Sequence, residues 1–245
     1  MKILITNDDG FLSESTTIML EYLSKYHDCF AITPSTNMSG SSNSLTLEKP
    51  LLISKKSKNF YHINGSPADC IHFSRLKFFN FIPDLVISGI NNGFNLGTDI
   101  FYSGTVAGAR EGLLHRIPSI SLSADYDVES SNYYKISEFI HEFVIKNKPL
   151  FIDMLEKKYF LNFNFPTKLN FNDIKITNIG TRELSMVPVE TINPKGASHY
   201  WIGDSGAPIE SDNHDDDFGC IIKGFISVSP ITINNEFDLS KITIE

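Results

Sequence analysis

Apolar runs alternate with amphipathic stretches through the first half of this 245-residue chain, and this alternation constrains the fold most strongly. A short apolar run at Ile3–Ile5 is followed by residues 15–26, where apolar side chains recur at helical spacing, and then by another run at Cys29–Thr33. Strand, helix and strand in this order are typical of parallel sheets. The sequence therefore predicts an α/β fold with a mostly parallel, doubly wound sheet.

The same alternation continues to about residue 146. Ser66 followed by Pro67 is typical of a helix start, because Ser caps free N–H groups and Pro has no N–H to satisfy. The further predicted elements are a helix from Ser66 to about Phe79, a strand at Leu85–Ile87, a helix from Ser103 to about His115, a strand at Ser119–Leu122 and a helix at Ser130–Lys146.

The C-terminal third has a different pattern. β-branched and aromatic residues are frequent in segments 160–165, 173–179 and 221–233, which predicts strands separated by Pro, Gly and Asn turns. We expect a single domain, with a parallel core over about residues 1–130 and a less regular, β-rich extension over about 160–245. The acidic run Asp215-Asp216-Asp217 is interpreted as a solvated loop, since short charge runs usually are.

Charge, cysteines and hydropathy exclude several classes of protein. A formal net charge of −8 disfavours binding to a nucleic-acid duplex, which requires many basic side chains. No apolar run approaches membrane-spanning length, and the start of the chain lacks the pattern of a signal peptide, so we expect a cytoplasmic protein with no membrane partner. The three cysteines are widely spaced and are expected to be reduced core residues.

Three polar loops follow predicted strands, and ligands bind at such loops in parallel sheets. The first is Asn7-Asp8-Asp9-Gly10. Alone, this tetrapeptide is more typical of a turn. However, two adjacent carboxylates at a buried strand end repel each other unless a cation or hydrogen-bond donors compensate. Oxygen ligands favour Mg²⁺, Mn²⁺ or Ca²⁺ over Zn²⁺, so Asp8 and Asp9 are candidate metal ligands.

The other two loops add neutral polar groups. The Ser/Gly/Asn-rich loop at 33–46 is either a flexible linker or a source of ligands to a metal or phosphate, with Ser39 and Asn43 as candidates. The glycine-rich loop at 88–97 precedes Ser103-Gly104-Thr105, which is either a capped helix start or a phosphate site at a helix N-terminus. Together the three loops predict metal-assisted hydrolysis of a phosphate ester.

Five motifs in this order resemble the SurE family of nucleotidases and phosphatases. They are NDDG (7–10), PSTNMSGSSNSLTL (34–47), GSPADC (65–70), SGINNGFNLG (88–97) and YSGTVAGAREG (102–112). The resemblance is dense over about residues 1–125 and weaker beyond. It implies a Rossmann-like core with helices on both faces of the sheet, a homodimer or homotetramer joined through the C-terminal extension, and hydrolysis of nucleoside 5′- and 3′-monophosphates. Some members also act on short polyphosphate.

The resemblance also implies roles for individual residues. One divalent metal per subunit, Mg²⁺ or Mn²⁺, would be held by Asp8, Asp9, Ser39 and Asn91. The substrate phosphate would be held by Asn95 and by Ser103, Gly104 and Thr105, with Asn43 as a further candidate. A metal-activated water would attack phosphorus, and one of the two catalytic carboxylates, Asp8 or Asp9, would serve as general base.

Two alternatives fit the sequence less well. A haloacid-dehalogenase-type phosphatase needs an Asp-x-Asp pair after the first strand, but the partner of Asp9 at that spacing is Asn7. A nucleotide-binding module without activity would be expected to carry GxGxxG after the first strand, where Asn-Asp-Asp-Gly stands instead. None of the seven histidines is predicted to be a metal ligand, and Arg182 is predicted to form a structural ion pair.

Overall fold

A computed structural model describes residues 1–76, 82–126, 128–183, 187–203, 205–209 and 215–233. Most strands of these residues form one sheet. They are β1 (Lys2–Thr6), β2 (Asp28–Pro34), β3 (Ile53–Ser57), β4 (Phe60–Ile63), β5 (Leu85–Asn92), β6 (Ser119–Ala124), β7 (Tyr159–Phe165), β8 (Ile174–Ile176) and β13 (Ile226–Thr232). Their order in the sheet is β3-β4-β2-β1-β5-β6-β7-β13-β8.

The centre of the sheet is parallel. Strands β4, β2, β1, β5, β6 and β7 pair in parallel register. At the edges, β3 pairs antiparallel with β4, and β13 pairs antiparallel with β7 and parallel with β8. The predicted mostly parallel sheet is therefore confirmed, and it includes strands from the C-terminal third.

Helices cover both faces of this sheet. They are α1 (Glu14–Leu23), α2 (Pro67–Ser74), α3 (Gly104–Leu114), α4 (Ser130–Lys146), α5 (Lys148–Lys157) and α6 (Asp217–Ile222). Successive side chains of β1 point to opposite faces. Ile3 and Ile5 belong to the same buried cluster as residues of α1 and α4, whereas Leu4 packs in a second cluster with residues of α2. The two clusters form the core on either side of the sheet.

Local sequence signals account for the helix starts. Ser66 and Asp69 form a capping box, in which the Ser66 hydroxyl accepts from the Asp69 N–H at 3.1 Å and the Asp69 carboxylate accepts from the Ser66 N–H at 2.9 Å. Helix α4 has the predicted bounds, and α3 lies within its predicted range. Helix α2 starts as predicted but ends at Ser74, and Phe79 lies outside the described residues.

The predicted strands of the C-terminal third are partly wrong. The segment 221–233 begins inside α6 rather than in a strand, because Asp216 caps that helix by accepting from the Gly219 N–H at 2.8 Å. Gly224, at φ +79°, then turns the chain into β13. The strand predicted at 173–179 is reduced to β8.

Two short antiparallel ladders lie apart from the main sheet. Strands β10 (Val189–Ile192) and β11 (Ser198–Trp201) form a hairpin, and β9 (Thr181–Arg182) pairs with β12 (Pro208–Ile209). The cysteines are buried and free, as predicted. None of the described helices combines the length and apolarity needed to cross a membrane.

Candidate active site

The segment 7–10 is both a turn and a polar cluster. The Asn7 side chain closes the turn, since its amide donates to the Gly10 carbonyl at 3.0 Å and its oxygen accepts from the Gly10 N–H at 3.1 Å. Gly10 has φ +96°, and a Cβ at that position would lie 2.9 Å from the carbonyl carbon of Thr36. Asn7 and Gly10 thus shape the loop, while Asp8 and Asp9 carry the charge.

Asp8 lies against the N-terminus of α3. Asp8 is 3% exposed, and its carboxylate accepts a hydrogen bond from the Thr105 hydroxyl. The nearby N–H groups of Gly104 and Thr105 partly offset the effect of burial on its pKa. A Cβ on Gly104 would lie 2.7 Å from the Asp8 Cβ, so only glycine allows this approach. The start of α3 therefore orients Asp8, with the helix dipole favouring its negative charge.

Asp9 is less completely satisfied than Asp8. Its Oδ2 lies 3.4 Å from the Asn92 N–H, a long hydrogen bond. Burial and the adjacent charge of Asp8 raise the pKa of Asp9 to about 6, and burial also raises the pKa of Asp8. Neither aspartate takes part in an ion pair with the described residues. The two aspartates are therefore partly buried acidic groups that no cation of the described segments neutralises.

The Ser/Gly/Asn-rich loop at 33–46 also lies against the loop that carries Asp8. The Met38 N–H donates to the Asp8 carbonyl at 2.7 Å, which brings the exposed Ser39 beside the aspartates. Ser42 is joined to the third loop, because its N–H donates to the Tyr102 carbonyl at 3.0 Å. The Ser41 hydroxyl is buried near Gly104 without a hydrogen-bond partner among the described residues. Sequence reasoning did not single out Ser41, although it lies within the motif at 34–47.

Asn91 is the fourth predicted metal ligand. It lies near the end of β5, next to Asn92, whose N–H faces Asp9. The Asn91 amide donates to the Gly93 carbonyl at 2.7 Å, which fixes the side chain. The structure therefore brings the loops that carry Asp8, Asp9, Ser39 and Asn91 to one edge of the sheet.

The side chains that are predicted to hold the phosphate also make hydrogen bonds within the protein. The Asn43 amide donates to Glu111 at 2.8 Å, and the Asn95 amide donates to the Ser123 hydroxyl at 2.7 Å. The Ser103 hydroxyl caps α3 by accepting from the Val106 N–H at 3.0 Å. The N–H groups of Gly104 and Thr105 lie near Asp8, as described above. Their contact with a phosphate remains a prediction.

The C-terminal third supports the loop that precedes α3. Asp217 accepts from the Gly97 N–H at 2.7 Å and from the Gly180 N–H at 2.9 Å, and it is fully buried. Its interpretation as part of a solvated loop is therefore wrong, since three peptide donors replace water around its carboxylate. Arg182 forms the predicted ion pair, with its Nε 2.9 Å from Asp99.

A cavity of about 450 Å³ opens beside the start of α3. It is lined by Thr98, Asp99, Phe101, Tyr102, Arg182, Glu183, Ser205 and Gly206. Tyr102 directly precedes Ser103, and the Phe101 and Tyr102 side chains are 60% and 54% exposed. The site thus combines two carboxylates, a helix N-terminus and an adjacent cavity with aromatic walls.

Comparisons with known proteins agree with this geometry. Residues 3–186 match the family model described as Survival protein SurE. A protein named 5′-nucleotidase SurE from Campylobacter lari is 39% identical over 239 residues, covering 95% of this chain and 93% of that protein. The protein of the same name from Chromobacterium violaceum is 32% identical over 238 residues, covering 96% and 94%.

A solved structure is also similar over nearly the whole chain. The crystal structure of the Sure protein from Aquifex aeolicus superposes with a TM-score of 0.78 at 33% sequence identity. The match covers 96% of this chain and 95% of that one. The likeness therefore includes the C-terminal third as well as the parallel core.

Proposed function

The chain belongs to the SurE family, and we propose that it is a divalent-metal-dependent 5′-nucleotidase, which also accepts 3′-monophosphates. The observation that carries this proposal is the Asp8-Asp9 pair at the end of β1, which forms no ion pair with any described residue and lies against the N-terminus of α3. The names of the relatives, 5′-nucleotidase SurE, agree with it.

The residues present fit a hard divalent cation. Asp8 and Asp9 supply carboxylate oxygens, while Ser39 and Asn91 supply neutral oxygens from the two neighbouring loops. This all-oxygen set favours Mg²⁺ or Mn²⁺. The negative charge of the buried aspartates would be compensated by such an ion, which explains how two adjacent carboxylates are tolerated there.

The chain's own groups account for positioning and proton transfer. A bound Mg²⁺ or Mn²⁺ would polarise the phosphoryl group and lower the pKa of water. Helix α3 presents its positive N-terminal end to the phosphate, and Ser103, Gly104 and Thr105 lie at that end. Asp8 or Asp9 would accept the proton of the attacking water as general base. Asn7 is held in the turn by Gly10 and has no carboxylate, so a covalent aspartyl phosphate is not part of this proposal.

The cavity beside α3 suits the nucleoside portion of the substrate. Its volume of about 450 Å³ lies within the usual range of small-molecule sites. Phe101 and Tyr102 offer rings on which a base can stack, and Asp99 and Arg182 add polar groups at the wall. Asn43 and Asn95 would support the loops around the phosphate through their contacts with Glu111 and Ser123.

The β10–β11 hairpin is the proposed oligomerisation arm for a homodimer or homotetramer. Val189, Ile192, Tyr200 and Trp201 are each more than half exposed on this hairpin. Apolar side chains grouped on one projecting element are typical of subunit contacts. Light scattering on the protein and on an Ile192→Asp/Trp201→Ser variant tests the assignment, and an unchanged mass for the variant would contradict it.

A substrate panel tests the proposed activity. Phosphate release is measured from 5′- and 3′-monophosphates of each base, and from tripolyphosphate, with Mg²⁺, Mn²⁺ or Zn²⁺. We expect the 5′-monophosphates to be hydrolysed fastest, with Mg²⁺ or Mn²⁺. Tight nucleotide binding without phosphate release under every metal would overturn the proposal in favour of a regulatory nucleotide-binding module.

A further inference from the structure

Helices α2 and α3 bring two histidines and a glutamate together on the side of α3 away from its N-terminus. His72 Nε2 lies 2.9 Å from Glu111 Oε1, and His115 Nε2 lies 3.2 Å from the same oxygen. The two Nε2 atoms are 3.4 Å apart. Among the described residues, this is the one group of three His, Cys, Asp or Glu side chains whose ligating atoms converge.

These separations match the geometry of a metal site. A tetrahedral Zn²⁺ with bonds of about 2.0–2.1 Å places its ligand atoms about 3.3 Å from one another. The three measured distances, 2.9, 3.2 and 3.4 Å, lie around that value.

We propose that His72, Glu111 and His115 form a second metal site, selective for Zn²⁺ or a similar transition-metal ion, with water as the fourth ligand. Two imidazoles and one carboxylate are a common zinc ligand set in which one coordination position stays open. Imidazole nitrogen disfavours Mg²⁺, so this site would differ in metal preference from the all-oxygen set at Asp8 and Asp9.

The surroundings of the cluster favour metal binding. Glu111 is buried, and its other oxygen accepts from the Asn43 amide at 2.8 Å, which orients Oε1 toward the imidazoles. The His72 side chain is 43% exposed, which leaves a path for the ion from solvent.

One neighbouring cation has to move. Arg75 Nη1 lies 3.0 Å from His115 Nδ1 and donates to it. When Nε2 coordinates a metal, the ring proton of neutral His115 resides on Nδ1, so Arg75 can no longer donate there. Arg75 is exposed and can turn into solvent. Its charge nevertheless opposes the ion, and an Arg75→Gln variant should bind Zn²⁺ more tightly than the wild type.

Cobalt spectroscopy on the full chain tests the site. Co²⁺ absorbs strongly in the visible when tetrahedral and weakly when six-coordinate, so the two metal sites are distinguished by intensity. We expect one equivalent of tetrahedral Co²⁺ in the wild type, displaced by Zn²⁺. Because loss of a residue that merely orients a ligand costs about 10- to 100-fold in metal affinity, His72→Gln and His115→Gln should each weaken binding by about 100-fold or more.

The matched control is His199→Gln, which removes an exposed histidine from β11 and should leave the cobalt band unchanged. Zn²⁺ should also raise the Tm of the wild type and of Asp9→Asn, but not that of His72→Gln, whose exposed position tolerates the substitution. Absence of a tetrahedral band in the wild type, or an equal band in His72→Gln and His115→Gln, would overturn the proposal. So would a Tm rise that is lost in Asp9→Asn and kept in His72→Gln.

Discussion

Two pairs of adjacent aspartates, Asp8-Asp9 and Asp216-Asp217, lie at the ends of secondary-structure elements. They differ in the hydrogen-bond donors that surround their carboxylates. Asp216 caps α6, and Asp217 accepts from the peptide N–H groups of Gly97, Gly180 and Phe218. In the first pair, Asp8 is held by the start of α3, but the one hydrogen bond that Asp9 accepts from the described residues is the long contact to Asn92. Both pairs are largely buried, so burial alone does not separate a structural pair from a candidate metal site.

The difference lies in how completely the carboxylates are satisfied. Every oxygen of Asp217 faces a peptide donor, so its side chain links α6 to the segment before α3 through hydrogen bonds. Asp9 lacks such donors and keeps capacity for a cation. We therefore expect substitutions in the first pair to reduce activity and substitutions in the second pair to reduce stability.

We expect the largest effect from the Asp9→Asn substitution, which should reduce turnover. Loss of a proposed metal ligand should lower phosphate release from AMP by more than about 100-fold, since loss of a residue that only orients a ligand costs about 10- to 100-fold. The Tm should stay the same or rise, because the repulsion with Asp8 is removed. Steady-state kinetics and thermal unfolding are measured on the same preparation. Undiminished turnover would exclude Asp9 from the site.

We expect the second-largest effect from the Asp217→Ala substitution, which should reduce the free energy of unfolding. This change leaves the buried N–H groups of Gly97 and Gly180 without partners, and each such group costs about 1–3 kcal/mol. We expect the free energy of unfolding in urea to fall by roughly 2–5 kcal/mol. The control is Asp215→Ala in the same acidic run, where the exposed side chain predicts a change within about 0.5 kcal/mol. Equal effects of the two substitutions would contradict the structural role of Asp217.

A smaller effect is expected from Thr105→Val. The variant keeps the size of the side chain but removes the hydroxyl that donates to Asp8. Mn²⁺ affinity, measured by calorimetry, should fall by about 10- to 100-fold, as for other residues that orient a metal ligand. Thr105→Ser retains the hydroxyl and should retain the affinity. Equal Mn²⁺ affinity in the Val and Ser variants would show that the hydroxyl does not matter.

The smallest effect is a change in the pH dependence of stability. Burial outweighs the peptide donors and raises the pKa of Asp217 above its usual 3.8. In the window between 3.8 and the raised pKa, the native state holds more protons than the unfolded state, so this group's contribution to stability falls as pH rises. The non-titrating Asp217→Asn variant should lack this part of the slope. Urea unfolding of both proteins across that window measures it, and parallel slopes would contradict the assignment.

The parallel core was predictable because its central strands are buried on both faces and therefore appear as continuous apolar runs. The polar loops after β1, β2 and β5 then had to meet at one edge, so the grouping of Asp8, Ser39 and Asn91 follows from topology. The edge strand β3 was missed because its solvated side chains are mostly Lys and Ser. Such a strand forms through pairing with β4 rather than through its own pattern.

Other features depend on contacts that sequence spacing does not reveal. Asp217 was misassigned because its donors come from residues 37 and 120 positions away. The histidines of the proposed zinc site were passed over because His72 lies on α2 and His115 directly follows α3, 43 positions later. The contact of the Asn43 amide with Glu111 spans 68 positions, and its predicted contact with phosphate stays a prediction.

Asp8 and Asp9 are proposed to hold a divalent cation that hydrolysis requires. The most direct test is phosphate release from AMP by the full chain in EDTA, followed by removal of the chelator and titration with Mn²⁺. We expect activity to be lost in EDTA and restored by Mn²⁺, which the imidazole-containing cluster binds less readily than the oxygen site. Full activity in EDTA would contradict the claim.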